Sequence, residues 1–245
     1  MRNIGQDNPG GQKPAEASGR REKPEIPAEF KAESIEKLDQ AALIRILGEP
    51  GSEPAAIFRK SIACKRLAVI GTKDSVPPLA ALLGDDRVSD YARDALESIP
   101  DPSADAALRE ALPKLKGPLL IGVINSIRRR RDPNAIEPLG RLIRGKDAAV
   151  AGAAALAAGE ISGPVAAKML LRALGKAGEA VRADVAAGAL VCADRMMAED
   201  RGRALSMLDA LSRPDIPRNV RIPAMHLQVA AAASLARPRT SPDLK

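Results

Sequence analysis

"IPDPSADAALREAL", Ile99–Leu112, decides the fold because the chain repeats it. Aligned on their first residues, "IGTKDSVPPLAALL" from Ile70, "RRDPNAIEPLGRLI" from Arg130 and "ISGPVAAKMLLRAL" from Ile161 follow the same pattern. The tenth position is Leu79, Leu108, Leu139 and Leu170, and the last is Leu83, Leu112, Ile143 and Leu174. The windows start 29, 31 and 31 residues apart, and a weaker fifth copy, "AEDRGRALSMLDAL" at Ala198–Leu211, follows after 37. Such a period marks an array in which each unit buries its apolar face only against its neighbours.

Each window carries the start of a helix. Asp101 precedes Pro102, Asp132 precedes Pro133 and Gly163 precedes Pro164. An Asp carboxylate accepts a free N–H of the first turn, and proline suits the first helical position, where its missing N–H costs nothing. The window is therefore a turn plus the second helix of a pair. First helices lie upstream in "KSIACKRLAVI", "SDYARDALESI", "LIGVINSIRRR", "VAGAAALAAGEI" and "DVAAGALVCADRMM". In them Leu67, Leu96, Ile127 and Ala158 share one register, and Ala63, Ala92, Val123 and Ala154 share another four residues earlier. Apolar positions four apart lie on one helix face. The expectation is an all-α solenoid of stacked antiparallel helix pairs, with about five repeats and a terminal half repeat over 32–236. Helical periodicity begins near Ser34 and is broken by "GEPGSEP". Residues 1–31, rich in Gly, Pro and charge, read as a disordered tail, and 237–245 as a flexible one.

The pattern resembles the HEAT-like repeat family, including the short bacterial form also named after phycobilisome lyases. The residues that carry the match are the turn element (Asp74, Asp101, Asp132, Gly163), the small residue after it (Ser75, Ala104, Ala135, Ala166) and the leucines above. The match runs from about residue 54 to 236, and the unit around "RADVAAGALVCADRMMAEDRGRAL" is longer than the others. The resemblance implies an α-solenoid that serves as a binding scaffold. A fold of this kind hosts many functions, so the function must come from the surface.

Composition narrows the classes. Aromatics make up 1% of the chain, and there is no Trp. A core made of Ala, Leu, Val and Ile points to closely packed helices with small residues between them. The same scarcity argues against platforms that stack nucleic-acid bases and against HEAT-like DNA glycosylases, which rely on groove aromatics. The formal net charge of +7 admits acidic partners without selecting one. Two cysteines, Cys64 and Cys192, make no disulfide framework; they sit in first helices four repeats apart and read as buried structural thiols. No apolar run reaches the length of a membrane span, and no apolar stretch of signal-peptide type stands at the N-terminus. The expectation is a cytoplasmic protein without membrane contact, or an exported one if the true start lies upstream.

Catalytic chemistry finds little support in the chain. His226 is the only histidine, which excludes a multi-histidine metal site within one chain. Deoxyhypusine hydroxylases, HEAT-like enzymes that hold iron with His-Glu pairs, are set aside because no such pair occurs. His226 reads as a partly buried packing residue. "GRLIRGKD", Gly140–Asp147, matches a phosphate-loop spacing but has Asp147 where Ser or Thr should hold magnesium. It also sits at a helix exit, where Asp147 reads as the cap of the next helix. No catalytic residue, cofactor or metal is expected.

Basic residues remain. Lys114, Lys116, Arg144, Lys146 and Lys176 recur where second helices end, and equivalent loops of a solenoid stack along one edge. They are the candidate interaction edge. Arg128, Arg129, Arg130 and Arg131, at the end of a first helix, form a second basic cluster expected to face away from the turn-and-second-helix surface or to reach it only from the other side. The same residues serve a simpler end, because cations at helix C-termini complement the macrodipole. The functional expectation is a non-catalytic scaffold for protein–protein interaction, its partner carrying an acidic surface. The alternative is a basic edge for nucleic acid or another polyanion, and a third reading is an accessory lyase. Residues 223–236 read as a first helix without its second. The expectation there is either a fragment of a longer array or an end that docks on another molecule.

Overall fold

A computed structural model of the chain describes residues 33–236. Among them every regular element is helical. A short α1 (Glu33–Glu36) and α2 (Gln40–Leu47) precede five helix pairs: α3 (Pro54–Ile70) with α4 (Val76–Ala81), α5 (Ser89–Ser98) with α6 (Pro102–Ala111), α7 (Gly117–Arg130) with α8 (Ile136–Ile143), α9 (Ala148–Ile161) with α10 (Pro164–Leu174), and α11 (Glu179–Met196) with α12 (Arg201–Leu211). A last helix, α13 (Arg218–Ala236), follows. The tails expected at 1–31 and 237–245 lie outside the described residues.

First helices stack in chain order, α3 on α5, α5 on α7, α7 on α9 and α9 on α11. Second helices form the other layer, with α4 against α6, α8 against α10 and α10 against α12. Each second helix also packs on the first helix of the next pair: α4 on α5, α6 on α7, α8 on α9 and α10 on α11. Helix α2 packs on α3 and α4, the contacts that a second helix makes, and α1 packs on α3 beside it. Gln40 fixes α2 there by donating to Thr72 Oγ1 at 3.0 Å and accepting from the Thr72 N–H at 2.8 Å.

The repeated positions form one continuous core. Leu79, Leu108, Leu139 and Leu170 are fully buried, as are Leu67, Leu96, Ile127 and Ala158 on the facing helices. Met207 and Leu211 complete the weaker fifth copy. The small residue of the motif, Ser75, Ala104, Ala135 or Ala166, is fully buried each time, which lets the turn lie close against the layer below.

The caps follow the motif with one correction. Asp101 accepts from the Ser103 N–H at 2.9 Å, Asp132 from Asn134 at 3.0 Å, Asp147 from Val150 at 3.1 Å and Asp200 from Arg203 at 3.1 Å. In the first repeat Thr72, not Asp74, takes the cap position and accepts from the Asp74 N–H, and Asp74 lies exposed inside the turn. Gly163 has no cap side chain; its φ of +94° is a conformation that favours glycine. Gly140 lies buried inside α8 with no strand before it, so the phosphate-loop spacing belongs to an ordinary helix exit. His226 is exposed on α13, against the expectation of a packing residue, because the helix turns its buried face through Val220, Ala224 and Ala231.

Candidate partner-binding surface

Three grooves open on the second-helix layer. One lies between α4 and α6 and is lined by residues including Val76, Ala80, Ala107, Glu110 and Lys114. Another lies between α10 and α12, where Pro164, Val165, Lys168 and Leu171 face Arg203. The third runs between the end of α8, the length of α10 and the start of α11. Helix α10 is thus the shared wall of two grooves, with Val165 and Lys168 lining both.

The α8–α10–α11 groove has the more distinctive chemistry. Arg144, Lys168, Arg172 and Lys176 line it, and no carboxylate is among its lining residues. None of the four is held in an ion pair among the described residues. Between them lie Val165, Met169, Ala173, Ala177 and Val181. Val165 leaves 68% of its surface to solvent, a large exposure for an aliphatic side chain on an ordered helix. Lys168, Arg172 and Lys176 recur every four residues, which aligns them on one side of α10 and its C-terminal extension. That spacing spreads the three charges over about 12 Å, at about 1.5 Å per residue.

The sequence-derived edge divides in the structure. Arg144 and Lys176 enter this one groove, Lys114 lines the α4–α6 groove, and Lys116 and Lys146 are exposed on the inter-repeat turns. Lys168 lies in the body of α10, away from any helix end, and Arg172 lies in its last turn; neither falls among the post-helix positions that make up the basic edge. The charge is also unevenly spread along the chain. Residues 71–112 hold nine acids and four bases, and residues 113–178 hold twelve bases and four acids.

The four arginines ending α7 separate in role. Arg129 pairs with Glu97 at 3.0 Å, and Arg128 lies 3.8 Å from Glu160. Arg130 is drawn inward. Its guanidinium donates to the carbonyls of Leu96, Glu97, Ile99 and Asp101 at 2.7–3.2 Å and to Asp105 Oδ2 at 3.0 Å. It therefore closes the C-terminus of α5 and reaches the first turn of α6, so this one member of the cluster does not face away from the second-helix layer. Arg131 ends the helix in the left-handed region, at φ 53° and ψ 43°, and is exposed.

Both cysteines are fully buried and unbridged. Burial pushes the Cys64 thiol up to about 12 and raises that of Cys192 as well, against the lowering that a nucleophile needs. Ser162 donates to the Cys192 carbonyl at 3.4 Å, which ties Cys192 to the packing of α9 on α11. Among the described residues no group of three or more His, Cys, Asp or Glu is placed to hold a metal ion, and no helix is long and apolar enough to cross a membrane.

No family model matches the chain, and no curated protein matches it in sequence. Among solved structures it is similar to human deoxyhypusine hydroxylase in complex with glycerol. The identity is 17% and the TM-score 0.35, over 84% of this chain and 97% of that one. The chain is an all-α solenoid of stacked helix pairs.

Proposed function

We propose that this chain is a non-catalytic scaffold of the HEAT-like type, in its short phycobilisome-lyase-type form, and that it binds a protein partner on its second-helix layer. The observation that carries this reading is that each of the three grooves is walled by second helices, two of them between consecutive second helices and the third between α8, α10 and the start of α11. Stacking in one direction leaves the seams between second helices as parallel furrows, and furrows of this kind accept side chains from a partner laid across them. Their walls are largely apolar with a few charged side chains, which suits recognition of a partner.

A photo-crosslinking residue tests the assignment of the face. Val165 on α10 is compared with Val69 on α3, a first-helix position that is 75% exposed. In extracts of the native host, the Val165 position should give a discrete protein adduct and the Val69 position should not. Equal adducts at both, or adducts at Val69 alone, would remove the second-helix layer as the binding surface.

A further inference from the structure

The α8–α10–α11 groove combines two properties that select a narrow class of ligand. We infer that it docks a short acidic segment of a partner protein, with an apolar side chain placed between its carboxylates. This rests on the scaffold reading above and specifies the partner.

Charge complementarity supplies the first half of the case. Arg144, Lys168, Arg172 and Lys176 converge on one groove with no carboxylate among its lining residues and no ion pair to neutralise them. Elsewhere on this chain cations are commonly neutralised: Arg93 by Asp90, Arg109 by Asp132, Arg129 by Glu97 and Arg182 by Asp215. Like charges held together without a counter-charge repel one another, and the repulsion is relieved when an anion binds.

The apolar residues supply the second half. Val165, Met169 and Val181 lie among the four cations, and Val165 is the most exposed large aliphatic side chain of the second-helix layer. A phosphate chain gains nothing from them. A peptide that alternates carboxylates with Leu, Ile or Phe places charge on the cations and buries apolar area at about 25 cal/mol per Å². Nucleic acid is less well served: no aromatic ring lines the groove for a base to stack on, and the arginine run at the end of α7 is largely engaged in internal pairs. Along α10 the cations span about 12 Å, which a handful of peptide residues covers in either extended or helical form.

The test is a selection of random twelve-residue peptides displayed on phage against the intact protein, run in parallel on the variant Lys168→Glu/Arg172→Glu. Both substituted side chains are exposed, so the fold should be retained, and matching helical circular dichroism and melting temperature verify this. The wild type should enrich sequences that carry several acids flanking an apolar residue. The reversed variant should lose them, with affinity for a synthesised winner falling more than tenfold and Val165→Ser weakening it several-fold. Overturning results are no enrichment, enrichment of sequences without acids, equal enrichment on the reversed variant, or a twenty-nucleotide oligothymidylate that displaces the winning peptide and binds more tightly. If the selection fails while the Val165 crosslink still captures a partner, the scaffold reading stands and the acidic specificity falls. If the crosslink fails too, both fall.

Discussion

Two junctions between first helices show how one repeat plan is held together by different physics. At α9–α11 the contact is made by absence. A Cβ on Gly159 would overlap the carbonyl oxygen of Gly188, and one on Gly188 would overlap that of Ala155, so the two backbones touch directly. Apart from Val150, the buried face of α9 is alanine and glycine, and the polar links to α11 lie at its end, Ser162 to the Cys192 carbonyl at 3.4 Å and Glu160 to Arg195 at 3.5 Å. At α5–α7 arginine side chains carry the contact, Arg93 lying directly against Gly122. Arg93 reaches from α5 to the Gly122 carbonyl at 3.3 Å and Ser126 Oγ at 3.4 Å, while Arg129 and Arg130 reach back from α7. One junction depends on dispersion between close-packed surfaces, the other on charge-assisted hydrogen bonds in a half-buried site.

The arginine junction should fail first and most. Arg130→Ala strips the donors from four carbonyls and leaves Asp105 without its cation. Removing one partner of a largely buried pair costs about 3–5 kcal/mol, and chemical denaturation should show a loss in that range. Lysine at the same position should recover only a small part, since an ammonium cannot spread donors over so many acceptors. A variant indistinguishable from wild type would mean that Arg130 is only surface charge.

The glycine junction should come next. Gly188→Ala forces a methyl group into the α9 backbone, which has no flexible side chain to move aside. Overpacking of this kind costs about 1–3 kcal/mol. Gly152→Ala, whose new methyl would meet the Asp184 side chain first, its carboxylate nearest, should cost much less because that side chain can rotate. Equal effects at the two glycines, measured by thermal melting, would contradict the backbone-contact assignment.

Alkaline stability isolates the apolar core of α3, outside both junctions. The Cys64 thiol ionises near 12 in the fold, against 9.0 for a free thiol. A raised value favours the neutral form, so stability is fully present below pH 9 and falls as the pH climbs from 9 towards 12. At about 1.4 kcal/mol per pH unit, pH 10.5 should cost about 2 kcal/mol relative to pH 8. Cys64→Ala should show a correspondingly smaller loss, and identical pH profiles for the two proteins would refute the burial of the thiol.

The smallest effect has the opposite sign. Arg131 ends α7 in the left-handed region, where an L side chain is strained and glycine is not. Arg131→Gly should stabilise by about 1 kcal/mol, and destabilisation would show that its side chain does more than end the helix.

The frame of repeats was legible in the sequence because it rests on local periodicity. Leu108 and its counterparts, the Asp–Pro starts and the pairing of helices all follow from spacing along the chain. What was not legible depends on partners in other repeats. Arg130 reads as a basic helix end, since Asp105 and the carbonyls it binds stand 25–34 residues away. Gly159 and Gly188 look like two more small residues until the stacking of α9 on α11 puts one against the other. The basic edge was legible only in part: Arg144 and Lys176 were found through their place at helix ends, but Lys168 and Arg172 join them only once α10 is seen as a groove wall. Thr72 took the cap from Asp74 for a more local reason, since the aligned third position of the window is Thr72 itself.

If the array is held together seam by seam, damage at one seam should stay near it. Native-state hydrogen exchange, followed peptide by peptide in Arg130→Ala and in Gly188→Ala, measures this directly. Arg130→Ala should lose protection in α5, α6 and α7 while α9 and α11 keep most of theirs, and Gly188→Ala should do the reverse. Loss spread evenly from α3 to α12 in both variants would contradict the account, because it would mean that the chain opens as a single unit and the two seams are not separate sources of stability.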